Sequence, residues 1–404
     1  MNQNTCVTID VSKEISHIQG YLCLNKPLGK VKTMRHTLQG YQLILSLVEA
    51  MKQKTAEIPL IIFEYTGIYH KSLQKFLDNL PLPYHIVSPL LAAKSRQNSI
   101  RSPKTDKRDC LSLAKMFYNQ NLGRFFVEDK QYAQLRKWNR FYEINLKHIQ
   151  KIKVNFRETL AIIYPNYKSI FKSPYSADSF AFLKLFPHPS EILALSFERV
   201  AQLLSLHLNH LPSWCFGMTQ MVFEYAKNTV PGCDIDDPDV LILLAYMNQL
   251  ERFIQNNDST LKSITTLAKR MPNYSVILSL PGIQDNLASR FLAELGDIRR
   301  FTNHKAMIAY AGIDPFIFQS GDKDGLHLKI SKRGNKHLRS ILYLMVTSMI
   351  KQNRAPSAIR DYYQKKTQQV RSLRPKVASV ACANKLLKIV YSLCRHGCIY
   401  QYNQ

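Results

Sequence analysis

Four carboxylates in the first part of the chain are of a type and arrangement that could do chemistry together. Asp10 is the only charged residue of the run CVTIDV, and Glu64 closes the apolar run IPLIIFE just before Tyr65-Thr66-Gly67. Asp106 and Asp109 lie three apart at the start of a predicted helix and so share one face of it. If the two apolar runs are adjacent parallel strands, Asp10 and Glu64 emerge at one edge of a sheet, where open α/β sheets place their ligands. Carboxylates gathered without neutralising arginines repel one another unless a cation joins them, and hard divalent ions such as Mg²⁺ prefer oxygen ligands. Two such ions about 3.5–4 Å apart can stabilise the attacking and leaving oxygens of a phosphoryl transfer. The plainer reading makes Asp106 an N-cap, Asp109 a first-turn acid and Glu64 a strand end near water. Asp10 fits no such post, and the joint placement of all four favours metal binding.

The elements that must position these acids are legible as patterns. Residues 5–34 give three extended runs, CVTIDVS, SHIQGYLCL and KVKTMR, with KPLG as the turn between the last two. An amphipathic helix near 40–53, the strand IPLIIFE, a helix over 68–79, the strand YHIV and helices from 89 and 106 follow. The order βββαβαβα requires a mixed sheet, because parallel neighbours need crossovers. It is the order of the ribonuclease H fold, in which the first and fourth strands are neighbours.

From 126 to 272 the pattern is helical. Ile149, Ile152, Phe156, Leu160 and Ile163 form one heptad stripe, and Leu243, Met247, Leu250, Ile254, Leu261 and Ile264 another, with Asn257 at a core position. Seven prolines between them, from Pro165 to Pro238, forbid one continuous helix. Two long helices separated by an irregular insertion are expected, paired within the chain or across a dimer. The last third opens on SVILSLPGIQDNLASRFLAELGDIRRF, a helix-hairpin-helix pattern turning at Pro281-Gly282-Ile283, the kind of turn that offers backbone N–H groups to a phosphate. Beyond it, Lys329, Lys332, Arg333, Lys336, His337 and Arg339 surround Gly334-Asn335, with Asn335 as N-cap of the next helix.

With 55 Lys plus Arg against 29 Asp plus Glu, the 404-residue chain carries a formal charge of +26, which calls for a polyanionic partner. Nucleic acid is the first candidate and an anionic membrane surface the rival. No run of about 18 consecutive apolar residues occurs, and the N-terminus shows no signal-peptide pattern, so no membrane is expected. The length favours two or three domains. Eight scattered cysteines without a C-x-x-C pair read as reduced thiols of a cytoplasmic protein. The cluster Cys382, Cys394, His396, Cys398 could hold zinc, but small apolar core residues are the favoured reading.

The segments ID at 9–10, FEYTGIYHKSL at 63–73 and KTDKRDCLSLA at 104–114, followed by SLPGI, GDIRRF, YAGIDP, FQSG and ISKRGNKHLR, resemble the DEDD transposases of the insertion-sequence family one hundred and ten. That family also includes site-specific DNA invertases. The resemblance covers both ends of the chain, and the middle by architecture alone. It implies a RuvC-like catalytic domain of ribonuclease H fold at 1–125, a helical coiled-coil and oligomerisation region at 126–272 and a mainly helical C-terminal transposase domain at 273–404. The acidic tetrad falls on Asp10, Glu64, Asp106 and Asp109, holding two Mg²⁺ ions. Cys110 stands where the family more often has Ala, a small change in volume.

By itself Ser320, before a glycine in a polar stretch, reads as a turn residue. The resemblance implies instead a catalytic serine that joins covalently to a DNA phosphate. The implied contacts to nucleic acid are Arg101, Lys104, Lys107 and Arg108 beside the acidic pair, Gly282, Arg299 and Arg300, and Lys329, Lys332, Arg333, Lys336 and Arg339. Also implied are DNA as substrate, an element-encoded guide RNA, a homodimer or homotetramer, and a bacterial, nucleoid-associated location. Two other readings compete: a hydrolytic RuvC-like junction nuclease that ignores Ser320, and a noncatalytic nucleic-acid-binding scaffold in which the acids are caps.

Overall fold

The computed structural model describes residues 4–65, 67–88, 91–92, 106–120, 122, 129–315, 319–320, 323–324, 330–351, 355–369 and 372–402. The side chains of 106–108, 319–320 and 323–324 lie outside that description. The chain divides into two compact units, residues 1–127 and 128–404.

The first unit is built on a five-stranded mixed sheet of order β3-β2-β1-β4-β5, from β1 (Cys6–Asp10), β2 (Ile15–Cys23), β3 (Lys26–Arg35), β4 (Leu60–Glu64) and β5 (Tyr84–Val87). β1 pairs antiparallel with β2 and parallel with β4, so the first and fourth strands are neighbours. KPLG is not the turn: β3 begins at Lys26, Pro27 pairs with Tyr21, and the chain reverses at Leu24-Asn25, where Asn25 takes a φ of 64°. The proline is tolerated because β3 is an edge strand, where a missing N–H costs no ladder bond. Alternation along the strands makes two apolar faces. Val7, Ile9, Ile61 and Phe63 pack against α1 (Leu38–Thr55) and α2 (His70–Leu77). Cys6, Tyr21, Ile62 and Val87 pack on the other side against Leu113, Ala114 and Met116 of α3 (Asp106–Tyr118). The helix expected from 89 lies largely outside the described residues.

The second unit is mostly helical. Its frame is two long helices, α4 (Lys130–Ile163) and α9 (Pro238–Ala268), which pack along each other in opposite directions. The heptad stripe of α4 is buried throughout, and Asn257 is buried on α9. At one end of the pair, α5 (Ala177–Leu185), α6 (Pro189–Leu193), α7 (Phe197–His207) and α8 (Pro212–Asn228) close an aromatic-rich core around Phe156, Tyr164, Phe182 and Phe186. At the other end Tyr132, Leu135, Tyr142 and Ile264 join α10 (Tyr274–Leu278), α11 (Asp285–Leu295), α12 (His304–Ala311), α13 (Lys336–Met349), α14 (Ala358–Gln368) and α15 (Pro375–His396). α15 is long and apolar enough to cross a bilayer, and it buries one face, Cys382, Leu386, Leu387 and Val390, in that core. Burial pushes the Cys382 thiol up to about 11 and that of Cys394 up to about 12, while Cys398 is exposed. The first two thus behave as small core residues, protonated at neutral pH.

Candidate active site

The first group of candidate residues sits at the end of the sheet. The β1–β4 register that pairs Ile9 with Phe63 sets Asp10 beside Glu64, one residue further along both strands. Asp10 pairs across β1–β2 with His17, and Glu64 pairs across β4–β5 with Val87. Val87 packs among the residues of α3, and the His17 carbonyl accepts a hydrogen bond from the Cys110 thiol of α3 at 3.4 Å. Both strand-end acids therefore belong to the face that α3 covers. Asp109 is buried on α3, and the Cys110 thiol lies within electrostatic reach of both Asp10 and Asp109. A first-turn acid placed only to favour the helix dipole would stand in water, and Asp109 does not. Asp106 opens α3 three residues earlier; its carboxylate is outside the described side chains.

Beneath these acids, on the same face, the buried Thr8 and Gln19 are paired across β1–β2, and Cys6 lies at the far end of β1. Burial, reinforced by the charges of Asp10 and Asp109, pushes the Cys110 thiol up to about 12, and burial lifts the Cys6 thiol to about 12. Tyr21 and Tyr118 are raised for the same first reason. No thiolate forms here near neutral pH; the strand-end carboxylate oxygens suit a hard divalent cation, and His17 stands opposite Asp10 on the next strand. Among the described residues no three His, Cys, Asp or Glu side chains meet closely enough to hold a metal ion.

The buried thiols give a pH dependence with a definite sign. Burial raises each of them above the ordinary thiol value of 9.0. Their contribution is fully present below pH 9 and is lost as pH rises toward the folded value, at about 1.4 kcal/mol per pH unit for each group. Thermal melting followed by circular dichroism should show the first unit losing stability between pH 9 and about 11, with a shallower loss in Cys6→Ala/Cys110→Ala. An equal slope in the double variant would contradict the assignment.

In the second unit, Ser320 lies in a short strand rather than a loop. β6 (Gln319–Ser320) pairs antiparallel with β7 (Lys323–Asp324), Ser320 opposite Lys323, and a bridge from Pro315 to Ile330 closes the base. Strands of two residues are too short to leave an alternating pattern in a sequence. Its side chain is outside the described set.

The basic residues divide by what they touch. Lys332, Arg333 and Lys336 are exposed around the N-terminus of α13, Lys332 at a φ of 54°. Gly334 is required there: a Cβ would lie 2.5 Å from the Tyr310 carbonyl oxygen and 2.6 Å from the Gly312 nitrogen. Gly334→Ala should therefore destabilise the unit by about 1–3 kcal/mol, seen as a lower urea midpoint. Arg339 donates to the Ala311 carbonyl at 2.8 Å, closing α12. Arg300 donates to the Leu295 carbonyl at 2.8 Å and lies over the Tyr310 ring at 4.1 Å. Arg299 is exposed and held by its own neighbour Asp297 at 2.7 Å. Gly282, at a φ of 78°, accepts a hydrogen bond from Ser348 at 2.6 Å, and a Cβ there would sit 3.1 Å from the Ser348 carbonyl oxygen. That contact accounts for the glycine as a packing residue. Arg101, Lys104 and Lys329 fall outside the described residues, as do the side chains of Lys107 and Arg108.

What sequence patterns miss is the polar network behind the basic loop. Glu294 of α11 is 0% exposed. It accepts from Asn139 at 3.0 Å and Asn335 at 2.8 Å, with the Arg140 guanidinium 3.5 Å away. Asn335 in turn caps α13 through His337 and Leu338. Arg290 donates to Asn139 at 3.1 Å and to Glu143 at 3.3 Å, and Glu143 also holds His337. The loop carrying Lys332 and Arg333 is thus anchored to α4 by buried charge.

A sheet edge bearing acids, followed by a helical unit with a basic loop, is matched by known sequences. Residues 7–165 match a transposase profile of DEDD type from the IS110 group, and residues 274–364 match the transposase IS116/IS110/IS902 family. A mini-circle putative transposase for IS117 from Streptomyces coelicolor is 27% identical over 296 residues, 70% of either chain. The transposase for insertion sequence element IS1111A from Coxiella burnetii is 28% identical over 151 residues, 36% of this chain and 41% of that one. A putative transposase, y4pF/y4sB, from Sinorhizobium fredii is 30% identical over 131 residues, 31% of this chain and 32% of that one. The chain belongs to the IS110 family of DEDD transposases, enzymes that cut and rejoin DNA. A DEDD domain implies use of a divalent metal ion.

Proposed function

We propose that this transposase is a Mg²⁺-dependent recombinase of an insertion sequence, with a RuvC-like first unit and a serine nucleophile in the second. Asp10, Glu64, Asp106 and Asp109 hold the metal, two ions in the full site. The observation that carries this reading is the placement of Asp10, Glu64 and the buried Asp109 on one face at one end of the sheet. When bound, the divalent ions polarise the scissile phosphate and stabilise the leaving oxygen. The chain's own acids would hold the cations that receive that phosphate, and the buried Cys110 beside them stays a protonated thiol rather than a competing ligand.

Ser320 supplies the nucleophile. Its hydroxyl oxygen forms the new bond to phosphorus, its proton leaves to solvent, and the displaced sugar oxygen is protonated. The phosphodiester energy is kept in the phosphoserine, so a second strand end can displace the serine without ATP. Lys332, Arg333 and Lys336 hold the backbone of the nucleic acid. A structured guide RNA encoded by the element directs the enzyme, which works as a dimer or tetramer in the bacterial nucleoid. The charge of +26 supports a protein that holds both RNA and DNA.

The test is to incubate the purified protein with Mg²⁺ and labelled element-end DNA and to sequence co-purified RNA. A protein–DNA adduct mapping to Ser320, absent in Ser320→Ala, is the expected result. Metal-dependent nicking that survives Ser320→Ala would support the hydrolytic nuclease instead.

A further inference from the structure

The outward face of α4 carries large apolar side chains that belong to no core among the described residues. Trp138 is 44% exposed, Phe141 47% and Ile144 49%, with the Trp138 and Phe141 rings in edge contact at 6.2 Å. Lys137, Lys147 and Lys151 are exposed among them. Spacings of three and four make the six residues one continuous stripe. The acid nearest this stripe in sequence, Glu143, is half-buried and engaged by Arg290 and His337. The opposite face of α4, with Leu135, Asn139, Tyr142 and Ile149, already fills the interior. Among the described residues, the exposed side chains of the stripe are therefore apolar or cationic.

From that combination we propose that the α4 stripe is a stacking platform for unpaired nucleotides of single-stranded DNA. If the stripe packed against its own counterpart in a second copy, lysines would face lysines, so the dimer or tetramer of the proposed function would form through other surfaces. A polyanion with exposed ring faces satisfies both features: the bases stack on Trp138 and Phe141, and the phosphates lie along Lys137, Lys147 and Lys151. Duplex DNA hides its base faces and offers only the phosphates. An enzyme that cuts and rejoins DNA exposes unpaired strand as it works, which supplies the occupant. The proposal needs neither the carboxylates nor Ser320, and strand cutting is not its readout.

The test uses the full chain and a labelled oligothymidylate about 20 nucleotides long, enough for one such tract. The chain has two tryptophans, so Trp214→Phe leaves Trp138 as sole reporter. Titration with the oligonucleotide should quench its fluorescence. Trp138→Ala/Phe141→Ala should lose about tenfold or more in affinity for the single strand while binding a duplex of equal length as before. Sedimentation velocity should show the same oligomeric state for both proteins. Absent quenching with unchanged affinity, an equal loss on duplex, a loss confined to oligouridylate, or a change of oligomeric state would each overturn the proposal, the last in favour of an interface between copies.

Discussion

Asp10→Asn is expected to lower Mg²⁺-dependent DNA cutting by about a thousandfold or more, some 4 kcal/mol of transition-state stabilisation, with the fold intact. The substitution keeps the shape of a half-buried side chain at the end of β1 and removes only its charge. Because Glu64 stands at the same register level on β4, Glu64→Gln should behave alike. Cutting of a labelled element end and a circular dichroism melt of each variant give the two readouts. Melting within a few degrees of wild type together with cutting within about tenfold of it would remove the acids from the chemistry. The scaffold reading, in which these acids serve as caps, predicts that outcome.

The largest stability effect should come from Glu294→Leu in the second unit. The side chain is fully buried and stands among Asn139, Asn335, Arg136 and Arg140. Removing one member of a buried charged network leaves its partners without compensation, which costs about 3–5 kcal/mol. The loss should appear as a large fall in urea midpoint, and the cap of α13 should loosen with it. Amide exchange at His337 and Leu338, whose N–H groups bond to Asn335, should accelerate more than exchange in α5–α8, which pack in the other core of this unit. Uniform acceleration would mean that Glu294 matters to the unit as a whole and not to the loop it anchors.

The strand order at the N-terminus was legible because the element order βββαβαβα is that of a ribonuclease H fold, in which CVTID and LIIFE are parallel neighbours, and the sheet pairs them so. The turn departs from its sequence pattern for a physical reason. Pro27 and Gly29 carry the usual turn chemistry, whereas the chain reverses at Leu24-Asn25, and an edge strand absorbs the proline. Charge along the C-terminal third was visible as a cluster of Lys and Arg, but not its division of labour. Arg300 and Arg339 spend their donors on the carbonyls of Leu295 and Ala311, contacts that depend on how helices end and pack. Glu294 and Asn139 are separated by 155 residues, and no local pattern encodes a contact of that range. Trp138 and Phe141 were hidden in an amphipathic helix, where an exposed aromatic differs from a buried one only by register.

The most direct test of the account is an anomalous difference map from crystals grown with Mn²⁺ in place of Mg²⁺. The account predicts peaks at the carboxylates of Asp10, Glu64, Asp106 and Asp109, lost in Asp10→Asn. A well-ordered sheet edge with no peak, or a peak elsewhere that Asp10→Asn leaves unchanged, would contradict it.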